Sequence, residues 1–145
     1  MAGSKFDGGV LRLLDANLNR AREGLRVLED TARFRWDDRP MFQGLRRARH
    51  GLDRITRRHY PALVSSRDAG ADPGRRMAEP RRRTDEGLVA SNFRRAEEAL
   101  RVLEEYGKVF APAAAASFKR LRFELYRWEK SAATRGRARE TKTPF

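Results

Sequence analysis

The chain has 145 residues, no cysteine and a formal net charge of +13. This length fits one domain with a core of its own, and without cysteine neither a disulfide framework nor a thiolate metal site can form. No apolar run reaches the roughly 18 residues of a membrane span, and no signal-peptide core is found near the N-terminus, so a cytoplasmic location is expected. The basic excess favours anionic partners, although an Arg-rich composition alone explains it equally well.

Four helices are predicted from apolar residues that recur at steps of three and four. In chain order they cover about 9–34, 38–58, 85–109 and 111–130. The second begins with a capping Asp followed by Pro in its first turn. Tyr60-Pro61 predicts a stop after it. No segment alternates apolar and polar residues convincingly enough to predict a strand.

The first and third helices repeat one sequence pattern. Residues 17–30 read NLNRAREGLRVLED and residues 92–105 read NFRRAEEALRVLEE, at a constant offset of 75. The second and fourth helices match at an offset of 76. Two similar helical hairpins, over 9–58 and 85–130, therefore predict an all-α four-helix bundle with approximate two-fold symmetry in a single domain over 1–133. Polar residues 134–145 predict a disordered tail.

A long loop over 60–87 connects the two hairpins. Loops of this length are commonly functional lids or flexible connectors. Arg67, Asp68, Asp72 and Gly74 lie in its middle. Such a mixture of Gly, Asp and Arg suits a loop that folds over a phosphate.

Polar residues that lie beside the apolar stripes are the candidate site residues. On the first and third helices they are Asn17, Arg20, Glu23, Asn92, Arg95 and Glu98, and on the second and fourth they include Arg46 and Arg122. In a two-fold bundle these shoulders can meet around a polar pocket near the axis. The alternative is an Arg–carboxylate network that fixes helix register, which spacing alone favours.

Several other chemistries lack their sequence patterns. The chain has neither a phosphate loop of the Walker type nor a dinucleotide-binding glycine turn. His50 and His59 have no partner histidine at metal spacing, so zinc is not expected. No DNA-binding module is evident, and the repeated helices place Glu beside nearly every Arg, which disfavours nucleic acid as a partner.

The segments LLDANLNRAREGLRVLED, RDAGADPG and ASNFRRAEEALRVLEEYGK, in this order, resemble the small all-helical alternative hydroxymethylpyrimidine phosphate kinase family of thiamine biosynthesis. The resemblance spans about 11–130. It implies transfer of the γ-phosphoryl group of ATP to hydroxymethylpyrimidine phosphate, with Mg²⁺. Members of this family often precede thiamine phosphate synthase in one chain, so that enzyme is an implied partner. A homodimer is left open.

The resemblance also implies roles for the candidate residues. The family's Asn–x–x–Arg–Ala–x–Glu pattern falls on both repeats, so the expected catalytic residues are Arg20, Arg95, Glu23 and Glu98. The expected phosphate- and substrate-binding residues are Asn17, Asn92, Arg46, Arg122, Arg67 and Gly74. The expected metal ligands are Asp68 and Asp72. Pro73 stands where the family loop has Val.

Three functions follow from these observations. The first is the kinase, whose phosphate acceptor is already anionic and needs no general base. The second is a non-catalytic helical domain that binds a thiamine intermediate or assists a synthase. The third is a basic bundle that binds nucleic acid. An ATP assay with the pyrimidine monophosphate separates the first two, and salt dependence of binding tests the third.

Overall fold

A computed structural model describes the backbone of residues 7–142 and the side chains of residues 7–135. The α-helices are α1 (Gly8–Asp30), α2 (Arg39–Thr56), α3 (Tyr60–Ser65), α4 (Asp85–Phe110) and α5 (Pro112–Lys142). A π-helical turn, Thr31–Arg35, extends α1, and a 3₁₀ turn, Arg57–His59, precedes α3. No strand occurs between residues 7 and 142, so the predicted all-α fold with four long helices is confirmed.

Side-chain caps mark where three of the long helices begin, and at α1 the cap is Asp7, whose Oδ1 accepts from the Val10 N–H at 2.8 Å. The predicted start of α2 is confirmed at Asp38, whose Oδ1 accepts a hydrogen bond from the Met41 N–H at 3.1 Å. Thr84 caps α4 in the same way, with its Oγ1 accepting from the Gly87 N–H at 2.9 Å. Each cap satisfies an amide that has no partner within its helix.

The hairpins α1–α2 and α4–α5 pack against each other mainly through α1 and α4. A Cβ added at Gly24 of α1 would lie 3.1 Å from the Asn92 carbonyl oxygen and 3.4 Å from the Ala96 Cβ. The absent side chain therefore allows the two central helices to approach closely. The largest fully buried residues are Phe93, Leu25, Leu28, Met41, Leu45, Leu52, Leu100, Leu103 and Leu125.

The predicted stop of the second helix before Tyr60-Pro61 is confirmed, since α2 ends at Thr56, but a short helix follows where a loop was expected. Pro61 lies in the first turn of α3, where no intrahelical partner exists for a backbone N–H and proline is well tolerated. Leu63 of this short helix is buried in the core. The irregular connection between the hairpins therefore covers residues 66–84, called the connecting loop below, rather than 60–87.

The C-terminal segment also differs from the expected disordered tail. Helix α5 continues through 134 to Lys142, and residues 143–145 lie outside the described part of the chain. Three of the nine residues in 134–142 are Arg, which favours helix. Arg135 ties it to the first hairpin by donating hydrogen bonds to the Trp36 carbonyl at 2.6 Å and to Asp38 Oδ2 at 3.2 Å.

Within residues 7–142, none of the helices combines the length and the apolar character that crossing a membrane requires.

Candidate functional site

In each hairpin, one buried glutamate joins the two helices. Glu29 and Glu104, which occupy equivalent places in the repeat, are each 3% exposed. Arg49 Nε and Nη2 donate to the two carboxylate oxygens of Glu29 at 2.7 and 3.2 Å. Arg122 Nε and Nη2 both donate to Glu104 Oε2, at 3.1 and 2.8 Å. Removing one partner of such a pair leaves a buried charge uncompensated, so these pairs define the hairpin register.

Arg122, which was expected to bind phosphate, has a structural role in this arrangement. Arg122 is buried, and its Nη1 donates to the Tyr126 hydroxyl at 2.9 Å. That hydrogen bond, together with the bonds to Glu104, raises the pKa of Arg122 above its ordinary value. Arg46, which the repeat matches with Arg122, is exposed on α2, and Arg49 one turn later binds the buried glutamate.

The repeated asparagines make a repeated hydrogen bond. Asn17 Nδ2 donates to the Leu13 carbonyl, and Asn92 Nδ2 donates to the Leu88 carbonyl, both at 2.9 Å. Asn17 Oδ1 also accepts a long hydrogen bond of 3.4 Å from Arg20 Nη1. The Asn repeat is therefore explained in part by contacts within α1 and α4.

The expected catalytic residues lie on the surface beside the contact of α1 with α4. Arg95 Nη2 lies 3.4 Å from Glu23 Oε2, and its Nη1 lies 3.9 Å from Glu79 Oε1 of the connecting loop. Arg20 and Glu98 are exposed. Exposed ion pairs of this kind contribute little to stability, so stability alone does not explain why the residues repeat. Their catalytic roles remain predictions.

Arg67 anchors the start of the connecting loop to α1. Its Nε and Nη2 donate to the Asp15 carboxylate at 2.6 and 3.0 Å, a bidentate pair. Asp15 lies in α1 and is buried, with 7% of its surface exposed. The hydrogen bond to Asp15 raises the pKa of Arg67 above its ordinary value. A buried carboxylate therefore fixes the guanidinium at the edge of the bundle.

Two adjoining cavities meet at this ion pair and form a groove along α1. The outer cavity, of about 660 Å³, lies between α1 and the connecting loop, with Arg12, Asp68 and Asp72 in its wall. Asp15, Asn19 and Arg67 belong to the walls of both cavities. The groove thus places a fixed Arg between two open volumes.

The inner cavity, of about 260 Å³, lies between α1, α2 and α3. Its polar wall contains Arg22 and Asp53, whose Nε and Oδ1 lie 2.7 Å apart, together with Arg57. Its less polar wall includes Leu18, Thr56, Tyr60 and Leu63. A cavity with one charged wall and one apolar wall suits a small ring that carries polar substituents.

Asp68 and Asp72 provide oxygen atoms of the type that Mg²⁺ prefers. Asp68 Oδ1 accepts from the Ala71 N–H at 3.3 Å, and Asp72 Oδ1 accepts from the Gly74 N–H at 2.8 Å. Among the described residues, no group of three or more His, Cys, Asp or Glu side chains has metal-binding geometry. The donor set therefore fits Mg²⁺ that arrives on a phosphate and keeps several waters, rather than a cation held by protein alone.

Of the twelve residues expected at the site, Arg67, Asp68 and Asp72 line this groove. Sequence reasoning did not single out Asp15, Arg22, Arg57 or Tyr60 as site residues. The sequence did contain one indication for Asp15, because this acidic residue lies between the apolar residues Leu14 and Leu18 of the α1 stripe. The others required knowledge of the short helix α3, which closes the inner cavity.

The second hairpin has no equivalent of the Arg22–Asp53 pair. At the matching positions lie Glu97 (22 + 75) and Glu129 (53 + 76). Burial, followed by the hydrogen bond to Glu129 and repulsion from its charge, raises the pKa of Glu97 to about 8. Glu97 therefore keeps its proton to a higher pH than an ordinary glutamate, and this half of the molecule has an acidic pair where the other has an ion pair.

Comparison with known proteins places the chain in a family. The model of the ThiD2 family matches residues 12–131. A thiamine-phosphate synthase of Nostoc punctiforme is 40% identical over 125 residues, which cover 84% of this chain and 35% of that protein. Proteins of the same name from Synechococcus and Synechocystis are 40% and 43% identical, over 96% and 83% of this chain and 40% and 35% of their own lengths.

The chain therefore spans two-fifths or less of the length of these curated relatives. No solved structure matches it. Since the family model covers nearly all of the helical bundle, and since the relatives align over most of the chain, the chain belongs to the ThiD2 family.

Proposed function

We propose that this chain acts in thiamine biosynthesis as a kinase that transfers the γ-phosphoryl group of ATP to hydroxymethylpyrimidine phosphate. The family and its relatives, which are named thiamine-phosphate synthases, support the pathway. The observation that supports the chemistry is the Arg67–Asp15 pair, which holds a guanidinium where the two cavities of the groove meet.

The reaction requires little proton chemistry. A phosphate oxygen of the acceptor forms a bond to the γ-phosphorus, the bond from that phosphorus to the bridging oxygen breaks, and ADP leaves. The attacking oxygen is already anionic near neutral pH, so no general base is needed. Catalysis then depends on alignment and on neutralising the charge of the phosphates.

The groove supplies cations for this purpose. Arg12, Arg22, Arg57 and Arg67 contribute to its walls. Asp15 engages the Nε and Nη2 of Arg67, which leaves Nη1 for a phosphate oxygen. A guanidinium that is already fixed loses little side-chain entropy when it binds a ligand, and its planar fork matches phosphate geometry.

Asp68 and Asp72 would hold Mg²⁺ bound to the phosphates of ATP. The ion supplies charge neutralisation on the transferred and leaving groups. The two carboxylates position the connecting loop beside those phosphates, because each also accepts a backbone N–H of the loop. We further propose that Arg20 and Arg95 bind phosphate oxygens when this loop closes, since Glu79 of the loop already approaches Arg95.

A coupled assay of ADP release with hydroxymethylpyrimidine phosphate tests the proposal. Arg67→Lys keeps the charge but loses the bidentate geometry, so turnover should fall by ~10²-fold, the scale of removing one transition-state donor. Arg35→Lys is the matched control, because Arg35 also makes two hydrogen bonds to a carboxylate, with Nε and Nη2 both donating to Asp85 Oδ2 at 3.1 and 2.8 Å. It lies about 30 Å from Asp15 by helix rise. Equal losses in both variants, or no ADP release from the wild type, would contradict the kinase assignment.

The names of the relatives also favour a second function, in which this bundle binds a thiamine intermediate for a synthase and catalyses nothing itself. Binding of the pyrimidine phosphate without any ADP release, together with faster synthase turnover when the bundle is added, would support that function instead.

A further inference from the structure

Comparing the two hairpins shows which residues of the groove occur in the first hairpin alone. The two hairpins place equivalent glutamates, Glu29 and Glu104, in the contacts between their helices, although the arginines that bind them come from different positions. Another pair of positions along that contact also differs in chemistry. The first hairpin has Arg22 and Asp53, with side chains 44% and 34% exposed, while the second has Glu97 and Glu129.

These two positions also differ in accessibility. Arg22 and Asp53 line the inner cavity and are open to a ligand. Glu97 is 7% exposed, and Ala132, which matches the partly exposed Thr56 of the first hairpin, is buried in the core. The same architectural position is therefore open in one half of the molecule and filled in the other.

We propose that the inner cavity binds the aminopyrimidine ring of the substrate, with Asp53 accepting from its exocyclic amino group and Tyr60 lying against its face. The second hairpin has no such site, so each chain binds one pyrimidine. The inference rests on the proposed function for the identity of the ligand. The volume and lining of the cavity, with Asp53 and Asn19 opposite apolar side chains, favour a small ring with polar substituents, and Arg67 at its mouth favours one that carries a phosphate.

The arrangement of the wall supports this orientation. Arg22 fixes Asp53 through one carboxylate oxygen at 2.7 Å, so the acceptor is positioned before the ligand arrives. Asn19 lies in the same wall and offers both a donor and an acceptor for the ring nitrogens. Leu18, Leu63 and the ring of Tyr60 supply apolar contact. The phosphate of the ligand then lies towards Arg67, where the inner cavity joins the outer one.

Equilibrium binding without ATP tests the inference separately from catalysis. Titration calorimetry with hydroxymethylpyrimidine phosphate should give one site per chain. Asp53→Asn should weaken binding by about tenfold or more, the effect of losing a charged acceptor. Glu129→Gln makes the same change at the equivalent place in the second hairpin and should leave affinity unchanged.

A second pair of variants avoids any dependence on folding of the Asp53 variant. Tyr60 is 60% exposed, so truncating it should not disturb the core. Tyr60→Ala should weaken binding severalfold, because a ring–ring contact is lost, and Tyr60→Phe should bind as the wild type does.

The outcomes separate this inference from the proposed function. Binding that depends on Asp53 and Tyr60, without ADP release, would support the ring site and refute the kinase. Turnover with an unchanged KM for the pyrimidine in Asp53→Asn and Tyr60→Ala would refute the ring site and leave the kinase standing. Two sites per chain, equal effects of Asp53→Asn and Glu129→Gln, or no binding of the pyrimidine phosphate would each overturn the inference.

Discussion

The buried acidic pair of the second hairpin predicts an unusual dependence of stability on pH. Burial and the contact with Glu129 raise the pKa of Glu97 from 4.5 to about 8. Between these values the folded chain keeps a proton that the unfolded chain has lost. Since stability falls with rising pH wherever the folded state binds more protons, the pair destabilises the fold progressively from about pH 4.5 to pH 8.

The magnitude follows from the same two values. At 1.36 kcal/mol per pH unit, the difference between 4.5 and about 8 sets a ceiling of about 5 kcal/mol. Glu129 is only half-buried, and water reaching the pair reduces this cost. We expect about 1–3 kcal/mol in practice.

Glu97→Gln removes this titration, while its amide can donate a hydrogen bond to Glu129. Urea unfolding at several pH values should show equal stability of variant and wild type near pH 4.5. The variant should become the more stable protein by about 1–3 kcal/mol at pH 9. Glu98→Gln, the same change at an exposed neighbour, is the control and should follow the wild type. A stability difference that does not change with pH would refute the raised pKa of Glu97.

Three further predictions concern the repeat, the loop and the packing of the hairpins. Arg20→Lys and Arg95→Lys should lower turnover by ~10²-fold with nearly unchanged thermal midpoints; early melting with normal turnover would instead assign them to helix register. Hydrogen exchange should show new protection over residues 67–74 when ATP and substrate are both bound, and unchanged exchange there would exclude a lid. Gly44→Ala should lower the free energy of unfolding by about 1–3 kcal/mol in urea titrations, because the added methyl group would overlap the indole ring of Trp128. Gly70→Ala is its control, since a methyl group added at Gly70 would have no other atom within 4 Å.

The helices could be predicted because their signals are local. An apolar stripe with a period near 3.6 and a cap such as Asp38 depend on residues within a few turns of one another. The short helix that begins at Tyr60 was missed for a physical reason, since proline disfavours the preceding turn of a helix but suits the first turn of a new one. This helix packs on the core through Leu63, a contact that only the folded structure reveals.

The site was predicted less completely because its contacts are distant in sequence. Arg67 and Asp15 are 52 positions apart, and nothing local indicates that one binds the other. The repeat contains Glu29 and Glu104 but could not show that both are buried, nor that Arg49, rather than Arg46, binds the first of them. Duplication preserves helix geometry more strictly than the choice of residue that fills each contact.

The most direct test of the central claim is phosphorus NMR of the purified chain with ATP, Mg²⁺ and hydroxymethylpyrimidine phosphate. The account predicts loss of the monophosphate and ATP signals, with equal amounts of ADP and pyrimidine diphosphate appearing, and a rate that depends on Arg67 but not on Arg35. Unchanged monophosphate after prolonged incubation with a folded protein, or inorganic phosphate as the only new product, would contradict it.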